Sequence, residues 1–194
     1  MEGYKYLISY KLSAIAFYLG WEFVPLYFNK YEDSRQRDQI KQALRSYKQN
    51  IVEGSSERSL STKLKLYDVA KASSKEAQED FEDILKMEGL LKWKNNDKRL
   101  ILLRHTFESS PSYPSIPSYP SIKKIKEVLE GLEGKEGLDR KKRIEGIVNY
   151  LIDVIIRGGY LLDKQINTIE KKHEREGGYS ENLLKRRLQY RKKC

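Results

Sequence analysis

Apolar residues recur every third or fourth position through four long stretches of this chain, and almost nowhere alternate with a period of two. Such spacing puts one apolar stripe on a helix and cannot serve a half-buried strand, so it confines the chain to the all-α class. In the first stretch, about Tyr4 to Tyr31, the stripe is Leu12, Ile15, Ala16, Leu19, Phe23 and Tyr27, and Pro25 is expected to kink the last turns. The second, about Ser34 to Glu53, carries Ile40, Leu44, Tyr47 and Ile51 on one face; Asp33 or Ser34 is placed to cap its start and Gly54 to end it. The third, about Ser61 to Met87, aligns Leu64, Tyr67, Ala70, Ser74, Ala77, Phe81 and Leu85. Its small central residues admit a close neighbour, while Glu76, Glu79, Asp80, Glu82 and Asp83 make its second half acidic. A weaker helix is expected over Asp97 to Phe107. The last long one, about Arg143 to Lys172, repeats Ile144, Ile147, Val148, Leu151, Ile155, Leu162, Ile166 and Ile169.

The region from Ser109 to Asp139 is of another kind. Pro111 to Ile116 reads Pro-Ser-Tyr-Pro-Ser-Ile and is repeated without change as Pro117 to Ile122, so this tandem holds four of the five prolines. Proline at every third position forbids a helix and favours an extended spacer, with a docking motif for a proline-binding domain as the alternative. The glycines at 131, 134 and 137 continue the expected flexible loop. A single domain over 1–175, interrupted at about 109–139 and followed by a basic suffix at 176–194, accommodates the 194 residues.

Charge bears on partners. Lys and Arg number 38 against 28 Asp and Glu, a net +10, and Lys171 to Cys194 alone holds nine basic residues against three glutamates. A polyanion such as nucleic acid is the natural counterpart. The lone Cys194 makes no internal disulfide, no secretory signal opens the sequence, and the apolar run Leu12 to Phe28 is broken by Glu22 and Pro25. A cytoplasmic location without a membrane span is therefore expected.

Two separated segments resemble one family. Ala43 to Ser55, containing Asn50-Ile51-Val52-Glu53-Gly54, together with Ala70 to Glu76, looks like the Asn-Ile-x-Glu-Gly hairpin of small bacterial four-helix-bundle proteins. These are the proteins encoded in intervening sequences of 23S ribosomal RNA genes and the accessory variability proteins of diversity-generating retroelements. Tyr160 to Gln165 and Glu176 to Glu181 are similar to the subgroup with a C-terminal suffix. The resemblance covers roughly the first 90 and the last 50 residues; the proline repeat departs from the shorter members. It implies an antiparallel up-and-down bundle and, for the accessory proteins, a homopentamer that binds nucleic acid and a reverse transcriptase. On physical grounds Asn50 is expected to cap or cross-link the helix end, Glu53 to pair with a cation, and Gly54 to supply a positive φ that reverses the chain.

Chemistry of the enzymatic kind finds little purchase. His105 and His173 are far apart and Cys194 is terminal, so neither a nucleophile with its base nor a His/Cys metal set is read, and no glycine-rich phosphate loop follows a strand. The carboxylates read as solvated helix faces paired with lysines. No enzyme activity, catalytic residue, cofactor or metal is expected.

Binding is the better reading. Arg37, Lys41, Arg45 and Lys48 line one face of the second helix, about 90° from its apolar stripe. Arg58, Lys63 and Lys65 follow just beyond the turn, and Lys185, Arg186, Arg187 and Arg191 stand in the suffix with Tyr179 and Tyr190 available to stack on bases. Together they suggest phosphate-directed binding of RNA or DNA with little sequence preference. The competing reading is a scaffold that docks an acidic or enzymatic protein partner, and a third is an anionic membrane surface, for which Leu183, Leu184 and Leu188 offer only a short apolar face.

Overall fold

The computed structural model describes residues 3–108, 119–134 and 137–191. A short 3-10 turn at Gly3–Tyr6 precedes α1 (Ile8–Tyr27), α2 (Ser34–Ser56), α3 (Leu60–Glu88), α4 (Lys98–Glu108), α5 (Ile122–Glu133), α6 (Arg140–Glu176) and α7 (Tyr179–Arg191). The described residues contain no strand, and none of their helices is long and apolar enough to cross a membrane.

Four long helices close a ring, α1 packing on α2 and α6 and α3 packing on the same two. Pairings run in opposite order along each adjacent pair, which makes every pair antiparallel. Lys48 covers Phe17 while Lys41 covers Trp21; Ser73 meets Ser46 while Tyr67 meets Gly54. Ser9 bonds Gln165 while Leu12 faces Gly158, and Lys71 pairs with Asp163 while Glu88 pairs with Arg140. The apolar stripes read from the sequence all point inward. Leu12, Ile15, Ala16, Leu19, Ile40, Leu44, Phe81, Ile147, Val148, Leu151 and Ile155 belong to one large core. Tyr47, Ile51, Tyr67, Ala70, Leu162 and Ile166 form a smaller core at the other end, flanked by Leu7 and Tyr10.

Small residues let these helices approach. Gly20 faces the Leu44 side chain, and a Cβ at Gly158 would lie 3.2 Å from that of Leu12 as well as against the Tyr47 hydroxyl. Gly54 has the same role, and this corrects its sequence reading. It neither ends α2 nor adopts a positive φ; the helix runs on to Ser56, and a Cβ at Gly54 would sit 2.6 Å from the Tyr67 ring. The position is glycine because an aromatic ring lies on the backbone there.

The stretch expected as loop also differs. Ile122–Glu133 is helical, its start capped by the Ser121 hydroxyl accepting from the Lys124 amide at 3.3 Å and its end closed by Gly134 at φ 63°. Ile125 and Leu129, three and four residues from their apolar neighbours, bury against α6, where Gly146 makes room for Leu129. Most of the proline repeat, Pro111 to Ser118, lies outside the described residues. Its last residues dock on α1: Tyr119 packs on Tyr18 at 4.4 Å, and the Ile122 amide donates to Glu22 Oε2 at 3.2 Å.

Two polar anchors hold α4 and the segment before it. Buried Asn149 accepts from the Trp93 amide at 2.7 Å and donates to the Leu91 carbonyl at 2.9 Å. Asp153, 7% exposed, takes both Arg104 from α4 and Arg157 from its own helix, and Arg157 reaches on to Glu108 at 2.6 Å. Burial works against the Arg157 charge, but its bonds to Glu108 and the nearby charges of Glu108 and Asp153 outweigh that and strengthen its hold on the proton.

Candidate nucleic-acid interface

The basic stripe of α2 lies along the seam with α1, where aromatic side chains of α1 meet it. Lys48 Nζ sits 3.8 Å over the Phe17 ring and 4.9 Å from Tyr18, and Lys41 Nζ sits 4.2 Å over Trp21. Arg37 Nη1 donates to the Phe28 carbonyl at 3.2 Å. All three are half-buried, and of the four residues Arg45 alone is exposed. Burial, then the neighbouring Arg45 charge, lowers the Lys48 pKa from the ordinary lysine value. The stripe thus spends part of its charge on covering aromatic surface of its own chain.

Farther along, the structure brings Arg58 to basic residues of the α6–α7 corner that the sequence keeps far from it. Arg58, in the α2–α3 turn, shares a cleft of about 450 Å³ with Lys172 at the end of α6 and with Lys185 and Arg186 of α7. Tyr179, half exposed, borders the same cleft, which places an aromatic face beside four cations. Glu176 is the carboxylate among them, held by Lys172 at 3.8 Å and Arg175 at 3.0 Å. The local reason is the Gly177-Gly178 corner. Gly177, at φ 77°, lets α7 turn off the end of α6, and Glu181 accepts from the Gly178 amide at 3.2 Å.

Other expected positions lie elsewhere. Lys63 is half-buried and reaches the Ser55 carbonyl at 3.5 Å, while Lys65, Arg187 and Arg191 are exposed but do not line the cleft. Lys172, absent from the residues expected to bind, belongs to the site; a lysine near the end of a long helix, five residues before a glycine pair, was the available signal. The expected turn motif is not at a turn: Asn50 and Glu53, like Gly54, lie inside α2. Asn50 donates to the Ser46 carbonyl at 2.9 Å and its hydroxyl at 3.0 Å, and Ser73 bonds that hydroxyl from α3 at 2.8 Å, so a polar chain ties α2 to α3. Glu53 accepts from Gln49 one turn back at 3.3 Å. Among the described residues no three His, Cys, Asp or Glu side chains cluster in a way that would hold a metal.

Chemically, four guanidinium and ammonium groups beside a half-exposed tyrosine can neutralise phosphates and stack a base, with no built-in way to read sequence. In comparisons with known proteins, no family model, no curated protein and no solved structure matches this chain.

Proposed function

We propose that this chain is a non-enzymatic nucleic-acid-binding protein that holds structured RNA, or RNA and DNA, by its phosphates and with low sequence specificity. The observation that carries the reading is the convergence of Arg58, Lys172, Lys185 and Arg186 around one cleft bordered by Tyr179. Arg58 comes from the α2–α3 turn, more than a hundred residues before the α6–α7 corner that supplies the other three charges, a convergence which a merely solvated helix face would not require.

In this reading the four antiparallel long helices form an up-and-down four-helix bundle, with α4 and α5 inserted between its third and fourth helices and α7 as the suffix. The resemblance of the Asn50 to Gly54 segment and of the α6–α7 junction to the intervening-sequence and retroelement accessory proteins supports both. By that resemblance the protein is a homopentamer and an accessory factor to a reverse transcriptase, and the lone cysteine supports a cytoplasmic location. Of the α1 aromatics, Phe23 is a core residue, while Trp21 and Tyr18 keep 44% and 38% of their surface exposed beside Lys41, Lys48 and Tyr119, which leaves apolar surface for a neighbouring copy.

The test is to purify the protein and compare its ultraviolet absorbance ratio before and after a high-salt wash, then add labelled single-stranded RNA back to the stripped protein. Nucleic acid that co-purifies, washes off and rebinds supports the reading. Protein that neither carries nor binds it would favour the scaffold for an acidic protein partner.

A further inference from the structure

At one end of the molecule the ring of four helices is incomplete. α1 begins at Ile8, level with Gln165 of α6 through the Ser9 hydrogen bond, yet α6 continues eleven residues farther to Glu176, about 16 Å. α3 accompanies it, since Lys71 pairs with Asp163 and α3 starts eleven residues earlier at Leu60. Ahead of α1, among the described residues, comes the short turn Gly3–Tyr6, which packs on α1 and α2. What remains is a groove of about 530 Å³ floored by Leu7, Leu60, Tyr67, Leu161 and Ile169.

The groove's charge is one-sided. Lys63, Lys164 and Lys172 line it and, among the described residues, no carboxylate does, in a chain with 28 acidic residues. Lys164 and Lys172 are eight residues apart on α6, about 12 Å, so the cations follow the length of the groove instead of gathering at one end. Such spacing suits a ligand with several negative charges along an apolar body and fits a single-headed amphiphile poorly. At the lip, Ile8 is 56% and Tyr6 70% exposed, large apolar surface left without cover.

We infer that this groove docks an amphipathic helix of a partner protein, its apolar stripe on the floor and its acidic flanks against Lys63, Lys164 and Lys172. The slot runs along α6 for about three helical turns, and helix-in-groove binding lays one apolar face into such a slot. Phosphates would be drawn to the lysines but would leave the apolar floor wet. The groove is therefore a second site, which adjoins the nucleic-acid cleft and shares Leu60 and Lys172 with it.

The experiment uses the full chain and a labelled synthetic helical peptide with a leucine stripe flanked by glutamates, followed by fluorescence anisotropy. Saturable binding is expected. It should weaken about tenfold or more in the Lys164→Glu, Lys172→Glu double variant and in Ile8→Glu. These positions are exposed, so circular dichroism and solution mass should match the wild type. The same peptide with its residues scrambled, or with lysines in place of the glutamates, should bind at least about tenfold more weakly. Equal binding of the scrambled peptide, or wild-type affinity in both variants, would overturn the inference. So would complete displacement of the peptide by single-stranded RNA in the Arg58→Glu, Lys185→Glu, Arg186→Glu variant, whose neighbouring cleft is disabled, or loss of self-association in Ile8→Glu; these would hand the groove to nucleic acid or to a second copy of this chain.

Discussion

Tyr47 is completely buried, and among the described residues its hydroxyl finds no hydrogen-bond partner. Burial alone pushes its pKa upward, as expected for a phenol denied water. Removing that hydroxyl relieves a desolvated polar group, so Tyr47→Phe should leave stability unchanged or raise it by about 1 kcal/mol in denaturant unfolding. Gly158→Ala should do the opposite. The helix-propensity gain of about 1 kcal/mol is set against overpacking of about 1–3 kcal/mol where the new methyl meets Tyr47 and Leu12. Combining the two substitutions should recover part of the loss, because they act on the same few atoms. Asp80 offers a pH test. Burial first, then the Glu76 and Asp83 charges, push its carboxyl up to about 6. The folded state therefore holds its proton to higher pH than the unfolded chain does, so this residue lowers stability as pH rises from about 4 through 6. Asp80→Asn should raise the melting temperature at neutral pH and change it little below about pH 4. A benefit that persists in acid would contradict this assignment.

At the scale of elements, the helices with long apolar stripes were legible to within a few residues, because the stripe that specifies a helix also specifies its buried face. α5 was not, although Ile122, Ile125 and Leu129 carry helical spacing; the preceding prolines and the glycines at 131 and 134 pointed to loop, and its stability comes from α6. Gly54 was misread because a glycine at a reversal and a glycine under a ring look the same in sequence. The stripe of Arg37, Lys41, Arg45 and Lys48 was visible as a pattern, but that Phe17 and Trp21 lie beneath two of its lysines depends on which helix packs alongside. The same dependence on partners governs α4. Asp153→Ala would strand Arg104 and Arg157, half-buried, without their shared carboxylate. Arg157 keeps Glu108, so the loss falls mainly on Arg104; about 1–3 kcal/mol is expected, with amide exchange in Lys98–Glu108 accelerated more than in α2 or α3.

In the whole molecule, charge placement links the fold to the proposed function. The packed long helices supply a frame, and the corner at Gly177 and the α2–α3 turn bring Arg58 within one cleft of Lys172, Lys185 and Arg186. Reversing Lys41 and Lys48 would also strip cover from Trp21 and Phe17, so the cleft is the cleaner place to test binding. The most direct measurement is the affinity of the wild type and of the Arg58→Glu, Lys185→Glu, Arg186→Glu variant for labelled single-stranded RNA across a salt series. The wild type should bind at about 50 mM salt and weaken linearly on logarithmic axes, and the variant should bind far more weakly, its slope shallower by roughly one for each phosphate no longer neutralised. A wild type that ignores RNA at that salt, or a variant with unchanged affinity and slope, would contradict it.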